Sequence, residues 1–144
     1  MRDNYISWNS YFIRLAKIAA RRSKDKDHQV GSCIVDINNN ILSLGYNGMP
    51  NGTVDTPKIW DNDTKQLYVV HSELNAILNA NCNLQNSIIY CTLFPCNECA
   101  KAIVQVGIKK VVYLRDFKPT QDNMKASVQI LTNAGVIIEK YKYS

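Results

Sequence analysis

The chain has 144 residues, 46% hydrophobic and 20% charged, a balance that describes one globular domain and excludes a disordered or collagen-like chain. It has no apolar run of transmembrane length and no signal-peptide core near Met1, so no membrane association and a cytoplasmic setting with reduced thiols are expected. Seventeen Lys and Arg against twelve Asp and Glu leave a net charge of +5, which suits a phosphorylated small molecule and RNA alike. The basic residues are spread along the chain, apart from a cluster at Lys17, Arg21, Arg22, Lys24 and Lys26.

Ser7 is placed to cap a helix in which Trp8, Tyr11, Phe12, Leu15, Ile18 and Ala19 recur at three- and four-residue spacing. Residues 30–37 read as a strand, Asn38, Asn39 and Asn40 as a turn, and residues 41–46 as the returning strand. Residues 47–65 carry Gly48, Pro50, Gly52 and Pro57 without a period and read as a long loop, a length that usually marks a functional segment. A helix opens at His71 and runs to Ala80, and a strand follows over 87–92. Cys96 opens the next helix, which stops near Gly107. A strand over 110–114, a helix over 122–134 closed by Gly135 and a strand over 136–141 complete the chain. This order implies an α/β layer fold with a five-stranded mixed sheet and helices on both faces. The last two strands are expected to be parallel through a right-handed crossover. No linker or internal repeat divides the chain, so residues 1–144 read as one domain.

Of five cysteines, Cys33, Cys82 and Cys91 fall in apolar or helical patterns and read as small buried side chains. The other two belong to the most specific pattern in the chain, His71-Ser72-Glu73 followed by Pro95-Cys96-Asn97-Glu98-Cys99. One imidazole and two thiolates leave the fourth corner of a tetrahedral zinc open to water, which marks a catalytic site and not a closed structural one. Glu73 is not needed as a ligand and stands where it can act as general acid and base. Both halves of the pattern fall at expected helix N-termini, whose unpaired N–H groups and partial positive charge lower thiol pKa values. The one-turn spacing of Cys96 and Cys99 puts both sulfurs on one side of the helix start. Cys-x-x-Cys alone equally describes a redox pair or half of a structural zinc site, but the latter needs a fourth ligand. His28 reads as an exposed loop histidine, and Cys91 is the only other thiol close in sequence.

These residues resemble the deoxycytidylate (dCMP) deaminase family of the cytidine deaminase superfamily, whose signature is H-x-E…P-C-x-x-C. The likeness runs from about Tyr11 to Arg115. It includes Arg22-Ser23-Lys24, Gln29-Val30-Gly31, the loop from Gly45-Tyr46-Asn47 through Gly48-Met49-Pro50-Asn51-Gly52, His71-Ser72-Glu73-Leu74-Asn75-Ala76-Ile77, Phe94-Pro95-Cys96-Asn97-Glu98-Cys99-Ala100-Lys101 and Gly107-Ile108-Lys109. In detail it is most similar to the eukaryotic-type enzymes.

The resemblance implies a three-layer α-β-α cytidine deaminase-like fold and hydrolysis of dCMP to dUMP and ammonia, supplying dUMP for thymidylate synthesis. It implies zinc on His71, Cys96 and Cys99, with Glu73 as the catalytic acid–base. Asn47 would bind the sugar 3′-hydroxyl, and Ser23 and Lys24 would lie at the 5′-phosphate. Residues Gly48, Met49, Pro50, Asn51 and Gly52 match a regulatory site, where dCTP with Mg²⁺ activates and dTTP inhibits, in an assembly that is usually a hexamer. Lys24, Lys26 and Arg22 would also stabilise extra phosphates, so dCTP stands as a second candidate substrate. Two departures stand out. Ser72 replaces the usual alanine, and residues 53–70 lack the Cys and His that bind a second zinc in some phage-type members, so one zinc per chain is expected.

A tRNA adenosine deaminase would share the ligand core and suit the charge, but it should lack the Tyr46–Pro50 loop and carry an acidic residue where Phe94 stands. Nucleoside deaminases normally use cysteine as the first ligand, which His71 contradicts. An accessory subunit without chemistry would commonly lose the acid that Glu73 retains. A small-molecule nucleotide, not a nucleic acid, is therefore the expected partner.

Overall fold

Five strands, Gly31–Val35 (β1), Ile41–Tyr46 (β2), Ile88–Leu93 (β3), Lys110–Arg115 (β4) and Ile137–Lys140 (β5), form one mixed sheet in the order β2-β1-β3-β4-β5. The structure is a computed structural model that describes residues 1–116 and 121–143. β1 runs antiparallel to both β2 and β3, while β3, β4 and β5 are mutually parallel, as the intervening helices require. The C-terminal ends of β2, β3, β4 and β5 therefore share one edge of the sheet with the start of β1.

The helices are Trp8–Ala20 (α1), Pro57–Trp60 (α2), Ser72–Asn79 (α3), Asn97–Gln105 (α4) and Gln121–Asn133 (α5). Alternation along the strands divides the core in two. Cys33, Val35, Tyr90 and Val112 meet Phe12, Ile13 and Ala16 of α1 on one face. Ile34, Ile89, Cys91 and Val111 meet Ala76 of α3, Ala100 and Ile103 of α4, and Leu131 of α5 on the other. Every residue of β1 is buried, because helices cover both of its faces. The expected mixed sheet with helices on both faces is the observed architecture.

Three details refine the sequence reading. In α1 the buried stripe is Phe12, Ile13, Ala16, Ala19 and Ala20, whereas Trp8, Tyr11 and Ile18 are exposed. The small side chains won because the helix lies directly on Gly31, where an added Cβ would sit 1.9 Å from Ala16 O. Cys82 is exposed, unlike the buried Cys33 and Cys91, because it falls after α3 in a polar, asparagine-rich turn. The segment read as a plain loop also holds α2, begun by Pro57 after Thr56, and Lys65–Leu67 forms a 3₁₀ turn. Ser7 caps α1 as expected, its hydroxyl accepting from Ser10 N at 3.2 Å.

Candidate active site

His71 and Cys96 are the N-cap residues of α3 and α4. Each stands in extended backbone, so its side chain is turned out of the helix and free to point at the other terminus. Cys99 lies one turn into α4, and its backbone N–H donates to Cys96 Sγ at 3.5 Å. Packing of α3 beside α4 brings His71 Nδ1 to 3.4 Å from Cys96 Sγ and 3.5 Å from Cys99 Sγ. All three donor atoms lie within 4.8 Å of one another. A nitrogen and a sulfur on one tetrahedral zinc stand about 3.6 Å apart, given bond lengths of about 2.1 and 2.3 Å. The spacing thus fits a single tetrahedral ion with one corner left to a small molecule. Among the described residues no fourth ligand joins this cluster; neither His28 nor Cys91 belongs to it.

The electrostatics suit a cation. The hydrogen bond with Cys99, with help from His71, holds the Cys96 thiol down at about 4. The same hydrogen bond, together with burial, pushes Cys99 far up. The hydrogen bond to Cys96 raises His71 against the opposing effect of burial. Glu73, in the first turn of α3, is 4% exposed, and burial lifts its carboxyl above the ordinary carboxylate range.

A cavity of about 1040 Å³ opens from this cluster along the shared edge of the sheet. Asn47 lines it at the β2 end, Val30 and His28 before β1, Leu93, Phe94 and Cys96 after β3, Leu114, Arg115 and Asp116 after β4, and Lys140 in β5. His71, Ser72 and Glu73 at the start of α3 and Lys65 and Gln66 of the 3₁₀ turn complete the lining. Ligand sites in open α/β sheets gather at such carboxyl ends of strands.

Asn47 is buried and held from three sides. Its Oδ1 accepts from Val30 N at 2.9 Å, its Nδ2 donates to His28 O at 2.9 Å, and its carbonyl accepts from Ser23 Oγ at 2.9 Å. One amide hydrogen and one lone pair remain for a ligand. Ser23 thus acts on Asn47 and does not line the cavity, and Lys24 is ion-paired with Asp55 at 2.6 Å, also outside it. The Gly48–Gly52 loop sits beside the site: Gly48 N donates to Val70 O at 3.1 Å and Val70 N to Gly48 O at 2.8 Å, one residue before His71.

Two groups at the cavity went unread in the sequence. Lys65 is 7% exposed and binds Asp25 Oδ1 at 2.9 Å and Asp27 Oδ2 at 2.6 Å. Asp25 also accepts from the N–H groups of Asp27 and His28 and from Gln66 Nε2. This buried network staples the 3₁₀ turn to the segment that carries His28. Nothing in the local pattern around Lys65 announces it. Arg115 ends β4, and its place on a parallel strand's carboxyl end was the available signal.

Comparison with known proteins agrees with this geometry. Residues 6–115 match the family described as the cytidine and deoxycytidylate deaminase zinc-binding region. The chain belongs to the cytidine and deoxycytidylate deaminase family. As a member it is a hydrolytic deaminase. It is 45% identical to the deoxycytidylate deaminase of Homo sapiens over 97% of this chain and 83% of that protein. It is 42% identical to a probable deoxycytidylate deaminase of Drosophila melanogaster over 97% and 75% of the two chains. The dCMP deaminase of cyanophage S-TIM5, solved in complex with dCMP and dUMP, superposes with a TM-score of 0.76 at 28% identity, covering 98% of this chain and 99% of that one. Among the described residues no helix of this deaminase is long and apolar enough to cross a membrane.

Proposed function

We propose that this family member deaminates dCMP to dUMP and ammonia through a single deaminase domain spanning residues 1–144. The observation that carries the reading is one cavity onto which the His71 and Cys96 ligand side chains and the buried Glu73 all open, with Asn47 at its far end. His71, Cys96 and Cys99 would hold one zinc ion, which would supply the Lewis acidity that brings a water to a pKa of about 7. Glu73 accepts one proton from the attacking water on its carboxylate and delivers it to cytosine N3, then takes the second proton from the new C4 hydroxyl and passes it to the amine, so that the C4–N bond breaks, the C4 carbonyl forms and ammonia leaves. Burial favours its protonated form, so the carboxyl holds each proton between uptake and delivery. Phe94 and Leu93 shield the base from bulk water, and the spare amide hydrogen of Asn47 serves the sugar 3′-hydroxyl.

The pairing of Gly48 with Val70 supports regulation at residues 48–52 by dCTP with Mg²⁺ and by dTTP, because a shift of that loop pulls on the backbone next to His71. Exposed Trp8, Ile18, Leu67 and Leu78 suit burial between copies in a hexamer. The setting is cytoplasmic, and the partners are nucleotides and not nucleic acid. dCTP is a second candidate substrate.

The test is ammonia release from dCMP, dCTP and deoxycytidine, each with and without added dCTP–Mg²⁺ or dTTP. Turnover of dCMP that responds to either triphosphate supports both halves of the reading, and turnover of dCTP widens the substrate class. Silence on all three overturns it and makes tRNA adenosine the next substrate to try.

A further inference from the structure

The cavity runs across the whole edge of the sheet, and its cations differ sharply in how they are engaged. Lys65 is neutralised by Asp25 and Asp27, and Lys140 by Asp116 at 2.9 Å. Beyond the cavity, Lys24 is taken by Asp55 and Lys26 by Asp61. Arg115, which lines the cavity, forms no ion pair among the described residues. Residues 117–120, Phe-Lys-Pro-Thr, add no carboxylate to the sequence beside it. Its Nε donates to Thr92 O at 3.3 Å and its own carbonyl accepts from Phe94 N at 2.7 Å. The guanidinium is thus anchored one strand away from Cys96, and among the described residues no carboxylate engages its terminal nitrogens.

We infer that Arg115 receives the 5′-phosphate of the substrate nucleotide and makes the enzyme select a nucleotide over a nucleoside. This assignment rests on the dCMP reading above. The 3′-hydroxyl and the 5′-carbon leave a furanose on opposite faces, so a sugar held through its 3′-hydroxyl at Asn47 turns its phosphate away from β2. The ends of β2 and β4 are three strand spacings apart, about 14 Å. An asparagine side chain, a furanose with its phosphate and an arginine side chain fill that span together. At the Asn47 end of the cavity Lys65 is already held by two carboxylates, Asp25 and Asp27. At the β4 end, with Asp116 already matched by Lys140, Arg115 supplies net positive charge. A guanidinium fork also fits two phosphate oxygens at once.

The experiment compares kcat/KM for dCMP and deoxycytidine in the wild type, Arg115→Ala, Arg115→Lys and Lys24→Ala, with thermal unfolding as the check on folding. The dCMP-to-deoxycytidine ratio should fall about 10- to 100-fold in Arg115→Ala, the scale of a charge-assisted hydrogen bond. Arg115→Lys should recover part of it by keeping the charge without the fork. Lys24→Ala should leave the ratio within about twofold, as expected for an exposed ion pair. A wild type active on dCMP whose ratio survives Arg115→Ala overturns the assignment alone. A wild type inert on dCMP overturns the functional reading and this assignment with it.

Discussion

Ser32 Oγ and Ser72 Oγ lie 2.8 Å apart in a fully buried contact that joins β1 to the first turn of α3. Ser72 stands between His71 and Glu73, so this hydrogen bond helps fix the helix start that carries both. Ser72→Ala should leave the Ser32 hydroxyl with only a weak thiol partner, Cys91, and cost about 1–3 kcal/mol. Ser32→Ala/Ser72→Ala should regain much of that loss, because it removes both polar groups together. A double-mutant cycle by denaturant unfolding checks this, and additive losses would show that the two hydroxyls are uncoupled.

Gly45 holds the other side of the same helix. A Cβ there would meet Ser72 O at 2.3 Å and Ala76 N at 2.5 Å, both backbone atoms that cannot swing away. Gly45→Ala should therefore lift α3 from β2, lower stability by about 1–3 kcal/mol or more, and weaken metal retention together with activity. Unfolding curves and zinc content measured on one preparation decide it. Wild-type values in both would mean that α3 can shift without consequence.

Glu73→Gln keeps the size of the side chain and removes its proton exchange. Deamination should fall at least about 100-fold while zinc stoichiometry stays near one per chain. Cys99→Ser should instead lower the zinc stoichiometry, as should dialysis of the wild type against a chelator, and activity should return to the dialysed wild type on adding Zn²⁺. Loss of metal in Glu73→Gln would mean that the acid also supports the ligand set.

The buried Asp25–Lys65 pair gives a pH signature. Burial opposes the charge on Asp25, but the hydrogen bonds from Lys65 and from the N–H groups of Asp27 and His28 outweigh it and hold the carboxyl below 3.8. A depressed carboxylate adds stability above its unfolded pKa and loses it as pH falls through the folded value. Hydrogen bonds to Asp27 and Asp25 raise Lys65 above 10.5, so its contribution is full below that pH and is lost as pH rises further. Lys65→Met should thus lower the Tm across the neutral range. The gap to wild type should narrow below about pH 3.8 and again at strongly alkaline pH. A gap that ignores pH would reduce Lys65 to a packing residue.

Much of the site was legible because it is local. The His-x-Glu and Pro-Cys-x-x-Cys spacings each fit within one helix turn, and strand alternation with helix periodicity implied the sheet that joins them. The stripe of α1 was not legible in the same way. Periodicity allowed both the Trp8–Ile18 face and the Ala16–Ala20 face, and only contact with Gly31 chose the smaller one. His28 and Lys65 also looked like ordinary loop residues until the chain closed around Asp25.

The sequence by itself singled out the His71, Cys96 and Cys99 cluster, the neighbouring Glu73 and the order of strands and helices along the chain, since these follow from spacing along one backbone. Only the tertiary structure decided which cations are already spent on nearby carboxylates, which polar groups face the cavity and how close α3 lies to β2. Charge pairing and burial depend on distances between residues far apart in the chain, and no local pattern records those distances.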